Sequence, residues 1–167
     1  FKDKLSAISS ICSLISLTMA ERQPNPIIYF SSKKLIEIVA TKREDWIREY
    51  VFWEMQLLSE IGYGLDLERC AVTSKSSDLV YVSPSSGRAV TNEGAGDFRN
   101  KLLPLPKFMT DFKANYHNND IYNALNLTEF FFKKRFFLPN NLNFPQSRNR
   151  LKAVSYTHLR AHETVMN

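Results

Sequence analysis

The first part of the chain carries apolar residues at helical spacing. Four of them recur at intervals of four, three and four positions: Ile8, Cys12, Ile15 and Met19. Serines fall together on another side of the same helix, at positions 6, 9, 13 and 16. Because this two-sided pattern is typical of a helix docked on a core, it predicts an amphipathic helix that ends near Ala20, before Pro24 and Pro26.

Two further helices are predicted, over residues 28–40 and 44–61. The second ends at Gly62-Tyr63-Gly64, a glycine-bearing signal for a helix C terminus. Apolar residues occupy several sides of this helix, so we expect it to be the central one. Glu54 falls on an apolar face, where an unpaired carboxylate is costly to bury. The pattern favours a structural ion pair or backbone hydrogen bond for Glu54 over a role as general base.

Residues 67–91 differ, because short β-prone runs alternate there with turn residues. Strands are predicted over three segments: 69–73, 79–82 and 88–91. Further along, the sequence predicts a loop over 92–97, helices over 106–115 and 120–138, and a short basic piece over 146–152. We therefore predict a mainly α-helical bundle that carries a small β-hairpin insertion at about 67–91.

Composition and charge place only broad limits on function. The chain is 44% hydrophobic and 23% charged, with a formal net charge of +5, which is typical of a globular domain that leans towards anionic partners. Cys12 and Cys70 form no visible disulfide framework, so a reducing, cytoplasmic setting is expected. No stretch reaches the roughly 20 apolar residues needed to span a membrane.

Motifs of common enzymes and metal sites are not found. The glycines at 94 and 96 match neither a dinucleotide fingerprint nor a phosphate-binding loop. Thr73 stands where a zinc knuckle that began at Cys70 would need its second cysteine. There is no Gly-x-Ser-x-Gly elbow, and His117 stands alone in a polar segment. We expect a binding protein without metal or cofactor rather than an enzyme.

The predicted helix 120–138 carries the candidate site. Four residues share the face expected to dock on the core: Ile121, Leu125, Phe132 and Phe136. Roughly opposite lie Lys133, Lys134, Phe130 and Phe137. Positive charge continues through Arg135, Arg148 and Arg150. These cations are candidate contacts for phosphates or carboxylates, and the two rings are candidate platforms for bases or an anchor for an acidic peptide. Alternatively, Phe130 and Phe137 pack against a neighbouring helix.

Several segments together resemble the helical C-terminal domain of RecO proteins. The longest runs from Phe52 to Cys70 and reads FWEMQLLSEIGYGLDLERC. The others are YVSPSSGRAV at 81–90, LLPLP at 102–106, LTEFF at 127–131, Pro145 and Ser147-Arg148. The resemblance covers about residues 1–152.

The resemblance implies a role in DNA repair, the response to DNA damage and homologous recombination. RecO proteins are recombination mediators that bind single- and double-stranded DNA, anneal strands and work with RecR to load recombinase. They also dock the acidic, Phe-ended tail of single-strand-binding protein on this helical domain. Such a protein is expected in the bacterial cytoplasm, associated with the nucleoid. The alternative is a helical adaptor that binds only proteins.

The chain departs from the RecO pattern in three ways. Only Cys70 remains of two Cys-x-x-Cys pairs, so the chain resembles the zinc-free branch, with a degenerate zinc-ribbon-like insertion. No β-barrel pattern precedes Phe1, so the N-terminal OB-fold is expected to be absent and the chain to be a fragment with weakened DNA binding. Residues 154–164 resemble a translated sequencing adapter, which predicts a non-native tail over 153–167 that is disordered or loosely placed, although its composition would tolerate a short helix. His158 and His162 would then carry no functional information.

Overall fold

The computed structural model describes residues 2–41 and 44–166, with 157–166 described by their backbone alone. Within these ranges the α-helices are α1 (Lys2–Thr18), α2 (Pro26–Ala40), α3 (Trp46–Glu60), α4 (Asn92–Ala95), α5 (Asn118–Phe132) and α6 (Gln146–Met166). The strands are β1 (Leu79–Val82), β2 (Ala89–Thr91) and β3 (Leu103–Pro104). The predicted fold class, mainly helical with a small antiparallel sheet, is confirmed.

Helix α1 is amphipathic, and Ile8, Ile15 and Met19 of the predicted face pack partly buried against the core, but the centre of the buried face lies beside them. The buried residues are Ala7, Ser10, Ile11 and Leu14, and they pack largely against α6. Cys12 is exposed, so its assignment to the docking face was wrong. Ser10 is buried instead because the Tyr50 hydroxyl, 2.6 Å from its Oγ, satisfies it. Hydrophobicity alone misplaces a face when a serine has a partner in the core.

Helices α2 and α3 lie side by side, and both follow their predicted positions closely. The Asn25 side chain caps α2 by accepting a hydrogen bond from the backbone N–H of Ile28 at 3.0 Å. Pro26 occupies the first turn, where its missing N–H costs nothing. Helix α3 stops before Gly62, whose φ of +95° only glycine adopts readily. Trp53 of α3 is buried and donates to Ser32 Oγ at 2.9 Å, which ties the two helices together.

The sheet has the order β2-β1-β3, and both pairs are antiparallel. The predicted strands at 79–82 and 88–91 are confirmed, the latter as Ala89–Thr91. The strand predicted at 69–73 was wrong, because that segment is a turn around Cys70. Strand β3 was not anticipated, since its second residue is Pro104.

The connections between the sheet and α5 are more irregular than the sequence suggests. The predicted loop at 92–97 forms α4 and then a 3₁₀ helix, Gly96–Lys101. The helix predicted over 106–115 is only a 3₁₀ turn, Lys107–Met109. Helix α5 continues into a π-helical turn, Lys133–Phe137, where the backbone N–H of Leu138 donates to the Lys133 carbonyl at 2.9 Å.

Helix α6 begins at the predicted basic piece and runs on to Met166. The described backbone of the tail is helical, which its composition tolerates. The ring of Tyr156 lies 5.1 Å from that of Tyr122 on α5, so the first tail residues contact the bundle. The side chains of His158 and His162 lie outside the described part of the chain. An adapter origin for residues 153–167 stays a prediction.

Candidate partner-binding surfaces

The three consecutive cations after α5 are engaged within the fold. The Lys133 ammonium lies 3.4 Å from Glu129 Oε2. Lys134 Nζ donates to the Pro84 carbonyl at 2.5 Å, and Arg135 NH1 donates to the Tyr63 carbonyl at 3.1 Å. These contacts fasten the π-helical turn to the hairpin and to the end of α3. Lys134 remains exposed, but none of the three is a free cation.

The two candidate rings have different surroundings. Phe137 is only 1% exposed, with its centroid 5.2 Å from that of Phe144 and 5.2 Å from that of Phe136. Its prediction as a base-stacking platform was wrong, because no base can reach the ring. Phe130 is half-buried and packs edge-on against Phe131 at 5.1 Å. Phe130 is therefore the only one of the two with an accessible surface.

Arg148 lies fully buried at the centre of the bundle, so the prediction that it contacts a partner was wrong. Its Nε lies 2.6 Å from Glu54 Oε2, and its NH2 lies 3.0 Å from Glu54 Oε1 and 2.9 Å from the Leu125 carbonyl. This bidentate geometry is the strong form of the carboxylate–guanidinium pair. The ion pair predicted for Glu54 is confirmed. Arg150, two positions later, is exposed and has no carboxylate partner among the described residues.

Further buried hydroxyls complete the network around Glu54. The Tyr50 hydroxyl donates to Glu54 Oε2 at 2.6 Å, and Thr128 Oγ1 donates to Oε1 at 2.6 Å. Burial and the neighbouring Glu54 charge hold the pKa of Tyr50 well above its ordinary value. Burial lowers the pKa of Arg148, but the Glu54 carboxylate outweighs it and raises that pKa. The network joins α1, α3, α5 and α6. Both oxygens of the Glu54 carboxylate are occupied by hydrogen bonds within the core.

A groove of about 660 Å³ lies between α1 and α2. Its lining is mainly apolar: Ile15, Met19, Ile28, Tyr29 and Ile36. Lys33 and Glu37 supply the charged groups of the lining. Tyr29 stands at the groove largely exposed to solvent. The dimensions and composition are those of a site that binds a small apolar group, with charge available at its edge. Sequence patterns gave no signal for this groove, because it arises from the angle between two helices.

Cys70 is buried at the base of the hairpin, with its sulfur surrounded by donors. Sγ accepts hydrogen bonds from the backbone N–H groups of Val72, Thr73 and Thr91 at 3.3–3.4 Å. Burial raises the pKa of the thiol, but the bonds from Thr73 and Thr91 outweigh it and lower the pKa to about 6. A side chain at Gly94 would begin 3.0 Å from the sulfur. The sulfur is thus held by hydrogen bonds from its own turn and from Thr91.

The depressed pKa of Cys70 predicts a pH-dependent stability. Above about pH 9 the thiolate forms in the folded and the unfolded chain, and its hydrogen bonds contribute fully to the free energy of unfolding. As the pH falls from 9 to 6, the contribution declines by at most about 1.4 kcal/mol per pH unit. Urea unfolding of the wild type and of Cys70→Ala across this range measures it, with Cys12→Ala as the exposed control. A constant difference between wild type and Cys70→Ala would contradict the assignment.

Among the side chains that the structure describes, no three of His, Cys, Asp and Glu converge in a way that could hold a metal ion. Within the same part of the chain, no helix is long and apolar enough to cross a membrane.

Comparison with known proteins gives a consistent family. Residues 3–141 match the family model described as "Recombination protein O C terminal". The chain is 36% identical over 147 residues to the DNA repair protein RecO of Ruegeria sp. (strain TM1040), covering 87% of the chain and 60% of that relative. It is 36% identical over 150 residues to the DNA repair protein RecO of Caulobacter vibrioides (strain NA1000 / CB15N), covering 89% and 61%.

A third relative extends the comparison. The DNA repair protein RecO of Wolbachia sp. subsp. Drosophila simulans (strain wRi) is 31% identical over 165 residues, covering 92% of the chain and 67% of the relative. No solved structure shows a significant match. The chain spans about 60% of the length of the first two relatives. The match to the family model over most of the chain, with these relatives, places the chain in the RecO C-terminal family.

Proposed function

We propose that this chain is the helical docking domain of a DNA repair and recombination mediator, acting by binding rather than by catalysis. Membership of the RecO family supports the repair role, since the relatives are named DNA repair proteins. Glu54, the best candidate for a general base, is bound by Arg148, Tyr50 and Thr128. A buried carboxylate with its oxygens occupied in this way is poorly placed to take a proton from a substrate. The setting proposed for this work is the bacterial cytoplasm, at the nucleoid.

The groove between α1 and α2 carries the docking proposal, and its proposed occupant is the acidic, Phe-ended tail of single-strand-binding protein. An apolar cavity of about 660 Å³ accommodates an aromatic side chain with its neighbours. Lys33, on the same lining, offers an ammonium group to a carboxylate of the tail. Burial of one aromatic anchor beside a charged contact is a common source of affinity in small interfaces.

Charge reversal at the groove tests this docking. Lys33→Glu is expected to weaken binding of a fluorescent acidic peptide ending in Pro-Phe by about 10-fold, because an attraction becomes a repulsion beside the anchor. Lys34→Glu is the matched control, since it makes the same change of net charge at an exposed neighbour that does not line the groove. Anisotropy titrations at two salt concentrations give the dissociation constants.

The other outcomes separate the alternatives. Equal weakening by Lys33→Glu and Lys34→Glu would show a long-range charge effect and contradict docking in the groove. Loss of binding in Lys133→Ala/Lys134→Ala, with Lys33→Glu unaffected, would move the dock to the end of α5. The mediator role further proposes contacts with RecR and with DNA. A chain that binds the peptide but no DNA at low salt would instead be a protein-only adaptor.

A further inference from the structure

Two exposed phenylalanines stand out in the segment between the sheet and α5. Phe98 is 65% exposed and Phe112 is 51% exposed, and Phe30 on α2 is the only other described phenylalanine that is more than half exposed. Exposure of a large ring is unfavourable unless a partner covers it. Both rings belong to the segment 96–113, which contains two short 3₁₀ helices and strand β3.

Each of these rings lies beside a cation. Lys101 Nζ is 5.9 Å from the centroid of Phe98, and Arg48 Cζ is 4.7 Å from the centroid of Phe112. A cation at this distance from a ring is attracted by the negative face of the π-system. An aromatic surface with a positive charge beside it can stack on a base while the cation meets the neighbouring phosphate.

The four basic side chains of segment 96–113 form no ion pair with the described carboxylates. Arg99, Lys101, Lys107 and Lys113 are exposed, and none lies within ion-pair distance of a described carboxylate. On the neighbouring hairpin, in contrast, Lys75 pairs with Glu93 at 2.9 Å and Arg88 with Asp66 at 3.6 Å. With Asp97 and Asp111 as its acidic residues, the segment has a net charge of +2, from four basic and two acidic side chains. Four cations without a carboxylate partner are therefore gathered in this short segment, whereas Lys75 and Arg88 are each held in an ion pair.

The segment is held firmly despite its irregular backbone. Phe108 is buried and packs 5.3 Å from the ring of Tyr116. Phe112 lies 5.5 Å from the ring of Phe52, and its carbonyl accepts a hydrogen bond from Arg48 NH1 at 3.1 Å. Phe112 and Arg48 are thus held in place before any partner arrives, which lowers the entropic cost of binding at this ring.

We infer that segment 96–113 is a contact surface for single-stranded nucleic acid, with Phe98 and Phe112 as stacking rings and the four basic side chains as phosphate contacts. The lining of the apolar groove between α1 and α2 includes no residue of this segment. An aromatic anchor of a peptide needs a cavity, whereas a base needs only an exposed ring face, and these two rings are exposed. This inference deepens the DNA-binding part of the proposed function and gives it a site.

The test uses the full chain and a fluorescent oligothymidylate of about 15 nucleotides at low salt. Phe98→Ala is expected to weaken binding by about 5-fold or more, and Phe112→Ala by a similar factor. Phe30→Ala is the matched control, since that ring is 65% exposed but belongs to α2, and its dissociation constant is expected to stay at the wild-type value. Lys101→Ala/Lys107→Ala is expected to reduce the slope of log affinity against log salt by about one to two.

Two conservative variants test whether the aromatic rings themselves are required for binding. Phe98→Leu retains apolar area and loses the π-face, so it is expected to bind the oligonucleotide as weakly as Phe98→Ala. Oligonucleotide binding at the wild-type level by Phe98→Leu would show that the ring does not stack on a base and would overturn the inference. Phe112→Tyr retains the ring and its packing on Phe52, and is expected to bind like the wild type.

The remaining outcomes separate the site from the wider function. Unchanged oligonucleotide binding in both alanine variants overturns the site and leaves the DNA role standing. A wild-type chain that binds the acidic peptide but no oligonucleotide overturns the site and the DNA role together, and leaves the docking role intact.

Discussion

Replacing Arg148 by methionine is expected to lower the free energy of unfolding by about 3–5 kcal/mol. The guanidinium is fully buried and makes two bonds to the Glu54 carboxylate, at 2.6 Å and 3.0 Å. Methionine fills much of the same volume but leaves the carboxylate buried without its cation, and that unpaired charge is the main cost. Urea unfolding followed by circular dichroism measures the change.

The control for this variant lies on the same helix. Arg150→Met changes an exposed arginine and is expected to alter the free energy of unfolding by less than about 0.5 kcal/mol. The double variant Glu54→Leu/Arg148→Met removes both charges and is expected to recover most of the lost stability, as replacement of buried ion pairs by apolar residues often does. An Arg148→Met chain as stable as the wild type would contradict the role of Arg148 as the buried partner of Glu54.

The Glu54 network shows which parts of the core could be predicted from the sequence. Helical spacing was enough to place Glu54 on an apolar face and to require a partner for it. The partner itself could not be named, because Arg148 lies 94 positions away and periodicity holds no information about such distances. Arg148 was predicted to contact a partner because it extends the positive charge that follows the helix predicted over 120–138. The carboxylate of Glu54 signalled that a partner had to be found in the core, but an arginine and a backbone group were both possible.

The predicted helix faces are wrong at the end of α5 for a local reason. Assignment of faces assumed 100° per residue throughout, as in a regular α-helix. The π-helical turn at Lys133–Phe137 widens the backbone and shifts the phase of the residues that follow. Phe137, expected opposite the core, is thereby turned into it. Runs of aromatic and basic residues do not reveal such a turn, and the contacts of Lys134 and Arg135 with distant carbonyls that accompany it are not visible in the sequence either.

The strand predicted around Cys70 is absent because the segment forms a turn. Residues 69–73 have the composition of a short strand, yet three backbone N–H groups bond to one sulfur atom instead of to a neighbouring strand. The two hairpin strands were located correctly because short β-prone runs stand there on either side of the turn residues 84–87. The sequence shows that Cys70 has no second cysteine three residues later, but it does not show the hydrogen bonds that surround the sulfur.

Replacing Phe137 by alanine is expected to lower the free energy of unfolding by about 3–5 kcal/mol, because the ring is 1% exposed and its loss leaves a cavity. The cavity would open between Phe132, Phe136 and Phe144, whose centroids lie 5.2–6.3 Å from that of Phe137. Thermal or urea unfolding measures the loss. Phe130→Ala, at a half-buried ring two turns earlier, is expected to cost clearly less.

Binding and stability together decide between the two roles of Phe137. A ring that packs in the core changes stability, and the fraction of Phe137→Ala chains that remains folded is expected to bind oligonucleotide as the wild type does. A ring that stacks on bases would give the opposite pair of results, with weak binding and nearly unchanged unfolding. The same pair of measurements on Phe98→Ala is expected to be reversed, since that ring is 65% exposed and contributes little to the core. Comparison of the two variants thus separates the aromatic residues that build the bundle from those that remain available to a partner.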